Sequence, residues 1–246
     1  MTYGEFAYIY DDLMKNFNYR KWKRYIEDIF KLYGVSPVDI VDLACGTGTM
    51  SILLAQQGYN VIGVDNSEDM LFVAREKSRK QGLQIPFICQ DMQELELHRP
   101  VDAVLILCDG VNYIIDRDEL RKVMLSIYKV LKSGGILIFD ISSYYKLASI
   151  LGNRLMADND EEVSLIWKNY FDPEENICQM ELTFFVNENG YYRRFDELHY
   201  QRAYRLEEII EILEQSGYTD IRSFHPFTFE PPKKRGHRIV FTAIKP

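Results

Sequence analysis

The stretch VDLACGTGTM at residues 41–50 decides the fold, because an apolar run changes there into a turn of small residues. Such a turn between a strand and a helix lets the backbone approach a nucleotide ligand closely. A dinucleotide-binding turn has three glycines in the pattern GxGxxG. Here Gly46 and Gly48 are followed by Ser51 in place of the third glycine, and Asp42 precedes the turn. Since a carboxylate repels a pyrophosphate, the turn favours a ligand with an ammonium group or a free ribose.

Apolar, strand-like segments alternate with helical patterns along the first part of the chain. They occupy residues 38–44, 60–65, 86–91, 102–108 and 136–142. Each segment is apolar on both faces, which is typical of parallel strands covered by helices on both sides of a sheet. The pattern therefore predicts an α/β fold with a doubly wound, mostly parallel sheet.

The pattern then changes to strands without intervening helices. Three such segments are separated by Asp-Pro and Asn-Gly, which are turn formers, and a helix over 205–215 and two closing strands follow. We therefore predict a core domain of residues 1–147 and 205–246. An antiparallel β insertion of residues 148–204, after the fifth strand, is expected to cap the acceptor side.

Acidic residues stand at the ends of three successive strands. Asp65 ends the second strand, Asp91 and Met92 follow the third, and Asp109 follows the fourth. The carboxyl ends of parallel strands meet at one sheet edge, where open α/β sheets bind their ligands. Asp65 is placed to accept both hydroxyls of a ribose, and Asp91 or the amide beside it to meet an adenine amino group. Acids at strand ends also serve as caps and turn formers, but the set as a whole favours a nucleoside site.

Five pieces of the chain resemble, in order, the motifs of class I S-adenosylmethionine-dependent methyltransferases. They are VDLACGTGTMSILLA, VIGVDNSEDMLFVAREK, FICQDMQEL, VDAVLILCDGVNYI and LKSGGILIFDI, within residues 36–142. The chain departs from the family pattern at Ala44, which replaces its first glycine. The resemblance, which is to the small-molecule branch, implies a seven-stranded Rossmann-like methyltransferase sheet and S-adenosylmethionine as the cofactor.

The resemblance also implies which residues hold that cofactor. It assigns Asp42 and the backbone of Ala44, Cys45, Gly46 and Gly48 to the methionine part, Asp65 to the ribose, Asn66 and Met70 to the adenosine, Asp91 and Met92 to the adenine, and Cys108 and Asp109 to the floor near the methyl group. The N-terminal YGEFAYIYDDLM resembles a lid, and its candidate residues for closing over the cofactor are Tyr3, Tyr8 and Tyr10. Ordinary packing of an N-terminal helix is the alternative for these tyrosines.

Methyl transfer from a sulfonium requires alignment and the exclusion of water rather than a nucleophilic side chain. A base is needed only when the acceptor carries a proton at the reacting atom. The candidate catalytic bases are Asp109 and His199, the second of which lies in the insertion. A single histidine on a strand is also commonly a packed residue, so that alternative stays open.

Charge and motifs also bear on the class of methyl acceptor. The formal net charge of −8 disfavours nucleic acid as a partner. The fourth strand is followed by CDGVNY rather than by the Asn-Pro-Pro-Tyr typical of adenine and amide N-methyltransferases. We therefore expect a small-molecule acceptor, and the aromatic and arginine residues of the insertion suit an anionic or flat one unless they only fill a core. The alternative is an RNA or protein methyltransferase that uses the basic run 233–235.

The remaining residue patterns point to a cytoplasmic protein with reduced thiols. None of the four cysteines forms a CxxC pair, and the four histidines lack the spacing of metal ligands, so no metal is expected. No apolar run is long enough for a membrane helix, so no membrane partner is expected. A non-catalytic binding protein for the same cofactor stays possible, and so does a nicotinamide oxidoreductase, against which Asp42 and the missing glycine count.

Overall fold

The computed structural model describes the chain from residue 4 to residue 246, and its side chains from Phe6 onward. Tyr3, one of the three predicted lid tyrosines, lies outside the described residues. The described strands, in chain order, are β1 Asp39–Leu43, β2 Asn60–Asp65, β3 Phe87–Cys89, β4 Val101–Ile106, β5 Leu131–Ser142, β6 Leu155–Asp158, β7 Val163–Asp172, β8 Ile177–Glu188, β9 Tyr191–Arg202, β10 Thr219–Phe224 and β11 Arg238–Ile244. The described α-helices are α1 Gly4–Leu13, α2 Tyr19–Tyr33, α3 Thr49–Ala55, α4 Glu68–Lys80, α5 Arg117–Val130 and α6 Leu206–Gln215.

Seven strands form the main sheet, in the order β10-β11-β5-β4-β1-β2-β3. The strands β1 to β5 pair in parallel, whereas β11 is antiparallel to both β5 and β10. The prediction of an α/β fold with a seven-stranded, mostly parallel sheet is therefore confirmed. Because β1 and β4 lie side by side at the centre, the turns after them meet at one edge of the sheet.

Both faces of the sheet are covered by helices, as the apolar strands predict. Ile40 of β1 packs with Trp22 and Ile26 of α2 on one face, while the next residue, Val41, packs with Met124 of α5 on the other. Alternate side chains of a strand point to opposite faces, so an apolar strand needs a helix on each side.

A second sheet of four strands, in the order β6-β7-β8-β9, contains only antiparallel pairs. This sheet lies within the predicted insertion. The sequence predicted about three strands there, and β6 was not predicted. All four β6 side chains are exposed, so this edge strand has no alternation that reveals it in the sequence. A π-helical turn, Lys146–Leu151, connects the main sheet to this insertion.

Helix α1 lies between α4 and the second sheet. Its residues Phe6 and Ile9 join one apolar cluster with Met70 of α4 and Phe184 of β8. None of the helices among the described residues is long and apolar enough to cross a membrane. The packing of α1 brings the N-terminal segment over the edge of the main sheet at which β1, β2 and β4 end.

Candidate active site

A cavity of about 410 Å³ opens where β1, β2 and β4 end. Nine residues predicted for cofactor binding line it, namely Tyr10, Ala44, Gly46, Asp65, Asn66, Met70, Asp91, Met92 and Cys108. The sequence did not single out its other lining residues, which are Phe6, Leu43, Ser67, Gln90, Leu107, Gly110, Tyr113 and Ile114. The structure therefore brings most of the predicted binding residues together around one space.

The turn after β1 has left-handed backbone at three positions. The φ angles are 56° at Ala44, 53° at Gly46 and 72° at Gly48. A Cβ atom at Gly48 would lie 2.9 Å from the Cβ of Ala74 in α4, so glycine is also required there for the close approach of that helix. Gly48 itself does not line the cavity, and its role is to let the turn pack against α4.

Asp65 faces the cavity from the end of β2 and is tied to the turn. Its Oδ2 accepts a hydrogen bond from the Gly46 N–H at 2.8 Å, and its Oδ1 accepts one from the Ser67 N–H at 3.0 Å. Burial raises the pKa of Asp65, and these N–H donors oppose that rise. Because each oxygen has a further lone pair, the carboxylate retains accepting capacity toward the cavity.

Asp42 and Cys45, also predicted for the methionine part, lie outside the cavity lining. The Asp42 carboxyl is buried and accepts a hydrogen bond from the Ser51 hydroxyl of α3 at 2.5 Å. Burial raises the pKa of Asp42 to about 6. The Cys45 thiol lies near Gly63 of β2, since a Cβ there would be 3.1 Å from Sγ. In this geometry Asp42 holds the helix that follows the turn.

The turn after β4 forms the floor of the cavity, and a neighbouring strand fixes it. Cys108 and Asp109 have φ angles of 59° and 56°, which are unfavourable for side chains with a Cβ. Asp140 of β5 accepts hydrogen bonds from both of their N–H groups, at 2.9 and 3.1 Å. This carboxylate therefore holds two consecutive left-handed residues in place.

The Asp109 carboxylate does not line the cavity and is bonded to residues of two other strands. It accepts a hydrogen bond from Gln201 of β9 at 2.9 Å and forms an ion pair of 2.7 Å with Arg238 of β11. Arg238 also pairs with Asp140. Burial raises the pKa of Asp109, but the charges of Arg238 and Lys146 outweigh this and bring the pKa to about 2. A carboxylate paired in this way is a weak proton acceptor.

His199, the second candidate base, is buried behind the wall of the cavity. Its Nδ1 lies 3.3 Å from the Tyr113 hydroxyl, and its ring centroid is 5.6 Å from that of Phe6. Both of these neighbours line the cavity, whereas His199 does not. Burial lowers the pKa of His199, so the imidazole is neutral at pH 7. The histidine is therefore connected to the cavity through the tyrosine.

Helix α1 closes one side of the cavity with Phe6 and Tyr10. Tyr19, at the start of α2, lies beside the side chains of Tyr10 and Cys108, which links this lid to the floor. Tyr8, the other described lid candidate, is 64% exposed and does not line the cavity. Among the described residues, no group of three or more His, Cys, Asp or Glu side chains is placed to hold a metal ion.

Several residues that build the site carry no local sequence signal. Arg238 begins a strand nearly 100 residues after Asp140, and only the register of β11 on β5 brings it to the floor. Tyr113 lies in the CDGVNY segment after the fourth strand. Its contact with His199 depends on the position of β9 and has no signal in that segment. These contacts follow from the topology rather than from spacing along the chain.

The strand order and the position of the cavity define a Rossmann-like methyltransferase, and comparisons with known proteins agree. The family described as a methyltransferase domain matches residues 40–135. A provisionally named methyltransferase of Geobacillus sp. (strain WCH70) is 39% identical over 100% of both chains. A similarly named one of Bacillus subtilis (strain 168), YqeM, is 38% identical over 100% of this chain and 98% of its own.

A solved structure supports the same assignment. The crystal structure of an S-adenosylmethionine-dependent methyltransferase from Clostridium acetobutylicum ATCC 824 superimposes with a TM-score of 0.90 at 36% identity, covering 98% of each chain. The chain belongs to the class I S-adenosylmethionine-dependent methyltransferases, as its motifs predict.

Proposed function

We propose that this protein binds S-adenosylmethionine in the cavity and transfers its methyl group to a small-molecule acceptor in the cytoplasm. The observation that carries the proposal is the position of Asp65, whose carboxylate is held by the Gly46 N–H at the edge of the cavity. A carboxylate in this place accepts hydrogen bonds from a ribose, and none of the described residues that line the cavity is a lysine or arginine that would attract a pyrophosphate.

The residues around the cavity fit the parts of this cofactor. Asp65 would hold the ribose, and the apolar side chains of Met92 and Ile114 would cover the adenine. Asp91 and Gln90 supply polar groups at the same end. The methionine part would lie along the backbone of the turn after β1, where small residues leave room for it. The cavity volume of about 410 Å³ falls within the range of small-molecule sites.

The cofactor would supply a methyl group on a sulfonium, which is a good leaving group. The protein then has to align the acceptor and exclude water. Phe6 and Tyr10 of α1 do the second, because they cover the cavity with aromatic rings. Cys108, held by Asp140, fixes the floor against which the acceptor would be aligned.

Proton removal is assigned to His199 acting through Tyr113. The imidazole is neutral, and its contact with the Tyr113 hydroxyl provides a path from the cavity to a proton acceptor. The other candidate base, Asp109, is paired with Arg238 and is better placed to hold the floor. An acceptor that reaches the enzyme without a proton on its reacting atom would bypass this path.

Isothermal titration tests cofactor binding. We expect S-adenosylhomocysteine to bind tightly and NADH to give no heat. The reverse result would make the protein a nicotinamide oxidoreductase and overturn the proposal.

Transfer of a labelled methyl group to a metabolite panel, to proteins and to total RNA then tests the acceptor. Label in a metabolite supports the proposal. Label in RNA or protein would establish the alternative acceptor, and cofactor binding with no labelled product in any of these pools would indicate a non-catalytic binding protein.

A further inference from the structure

Two segments of the chain expose cations that form no ion pair. Arg20, Lys21 and Arg24 lie in the first turns of α2, and Lys233, Lys234 and Arg235 lie in the loop between β10 and β11. All six side chains are exposed, and none takes part in the ion pairs found among the described residues. We call these six residues the basic surface.

The two segments pack against each other. The Lys21 ammonium lies 4.0 Å from the centroid of the Phe227 ring, and the Trp22 ring centroid is 5.0 Å from the same ring. The Tyr25 hydroxyl donates a hydrogen bond of 2.6 Å to the Thr228 carbonyl. These contacts join α2 to the loop that carries the other three cations.

Each of the two segments also approaches the floor of the cavity. The Trp22 ring of α2, two residues after Arg20, has its centroid 6.0 Å from the guanidinium carbon of Arg238. Arg238, three residues after Arg235, pairs with Asp109. The basic surface therefore borders the part of the cavity where the methyl group would be transferred.

Lys146 lies between this floor and the loop. Its ammonium donates to the Ser142 hydroxyl at 2.9 Å, and the neighbouring Ser143 donates its hydroxyl to the Gly236 carbonyl at 2.6 Å. The four charges of the floor compensate one another: Asp140 is buried, and Asp109, Arg238 and Lys146 are partly buried. The cations farther out have no such compensation.

The six cations of the basic surface lie in two short segments of a chain whose formal net charge is −8. Arg20 and Arg24 are four residues apart on one helix, an arrangement that destabilises the helix when the charges are alike. An anionic ligand would remove this repulsion. Phosphate groups suit such a surface because guanidinium and ammonium groups are their common partners in proteins.

We propose that the methyl acceptor is a small molecule that carries phosphate groups, which the basic surface binds while the reacting group enters the cavity. This inference rests on the proposed methyl transfer and names the class of its acceptor. Small acceptors are favoured over RNA, because the basic surface consists of only two short segments of an acidic protein. A long polyanion would be repelled by the rest of that surface.

The test uses the full chain saturated with S-adenosylhomocysteine, and inorganic pyrophosphate as the probe. Binding is followed by calorimetry at low ionic strength, where exposed charges interact most strongly. The test variant is Lys234→Glu/Arg235→Glu. The matched control is Arg121→Glu/Lys122→Glu on α5, which reverses two exposed cations that also form no ion pair among the described residues.

We expect pyrophosphate to bind the wild type and the control equally, and the test variant at least about fivefold more weakly. Equal weakening in both variants, or no binding to the wild type, would overturn the inference. In a second arm, a 20-residue oligouridylate is titrated by fluorescence anisotropy. Binding that is tighter than that of pyrophosphate and is lost in the test variant would make RNA the partner and reject a small acceptor.

The affinity for S-adenosylhomocysteine is measured in every variant and should not change. If the wild type does not bind this compound, the proposed methyl transfer fails. If it does bind, and only the pyrophosphate results disagree, the acceptor class alone is wrong.

Discussion

Thr47 donates its hydroxyl to the Asp11 carboxylate over 2.6 Å, and this bond fastens helix α1 to the turn after β1. Lys77 of α4 completes the connection, because its ammonium pairs with Asp11 at 2.5 Å and donates to Thr49 at 2.8 Å. The lid helix is thus held by the same loop whose backbone borders the cavity. Release of the lid and opening of the cofactor cavity should therefore be coupled.

The first prediction concerns this connection. Asp11→Ala should speed the dissociation of S-adenosylhomocysteine by about three- to tenfold, because it removes charge-assisted hydrogen bonds that hold α1. Stopped-flow fluorescence measures the rate. The control is Asp12→Ala, which removes an adjacent carboxylate with no side-chain hydrogen bond among the described residues. Equal rates in both variants would mean that α1 does not gate the cavity.

The second prediction tests the ribose assignment. Asp65→Ala should weaken the binding of S-adenosylhomocysteine at least about tenfold, since it removes two charge-assisted hydrogen bonds of about 1.5–3 kcal/mol each. Calorimetry gives the affinity, and Asp69→Ala, an exposed carboxylate in the first turn of α4, serves as the control. An unchanged affinity in the Asp65 variant would refute the assignment.

The third prediction separates two roles of Asp42. Burial raises the pKa of Asp42 to about 6, above the unfolded value of 3.8, so its stabilising contribution is present at low pH and is lost as the pH rises through 6. Asp42→Asn should therefore raise the free energy of unfolding at pH 7.5 by up to about 3 kcal/mol. This gain should shrink below pH 6.

Urea unfolding at several pH values measures that gain. If Asp42 only holds Ser51, the affinity for S-adenosylhomocysteine should stay within about twofold of the wild type. A much weaker affinity would instead place this carboxylate on the amino group of the methionine part, as the resemblance implies.

The fourth prediction concerns the alanine that replaces the first glycine of the turn. Ala44 has a φ of 56°, a conformation that costs a residue with a Cβ about 1–2 kcal/mol. Ala44→Gly should raise the melting temperature by about 2–4 °C. Ala74→Gly, in the interior of α4, should lower it, because glycine is unfavourable within a helix. Calorimetric scans compare the two, and a loss of stability at position 44 would contradict the argument.

The fifth prediction is a pH dependence due to His199. Burial lowers the pKa of this imidazole below its unfolded value of 6.5, so the unfolded chain binds a proton more readily. The free energy of unfolding should therefore decrease as the pH falls below about 6.5. His199→Gln should reduce this decrease, as measured by urea midpoints at pH 7.5 and 5.5. Parallel slopes in the two proteins would show that the histidine does not titrate in this way.

The sequence was most informative where local pattern and chemistry coincide. The β2 strand was predicted with its observed bounds, because Asn60 to Asp65 form an apolar run that ends at an acid. The sequence also predicted that Asp65 and Asp91 lie at one edge of the sheet, because the carboxyl ends of neighbouring parallel strands meet there. Whether a side chain faces the cavity or a neighbouring helix depends on packing, which explains why Asp42 lies against Ser51.

Residues contributed by distant strands could not be predicted. The pairing of Asp109 with Arg238 requires the antiparallel register of β11 on β5, and no spacing rule connects residues this far apart. The insertion shows a related limit. Its arginines were considered for an anionic acceptor, but Arg194 pairs with Asp196 and Arg202 with Glu208. The basic surface lies instead in α2 and in the loop between β10 and β11.

The bonds around Asp140 also constrain the order in which the site can assemble. Arg238 lies 98 residues after Asp140 and 129 residues after Asp109, in the last of the described strands, so it is synthesised well after both carboxylates. Before that strand pairs with β5, the Asp109 and Asp140 carboxylates lack the cation that they share in the folded protein. Removing unpaired carboxylates from water is costly. A nascent chain can thus form the glycine turn and most of the sheet early, whereas the floor of the cavity is completed only when β11 pairs with β5.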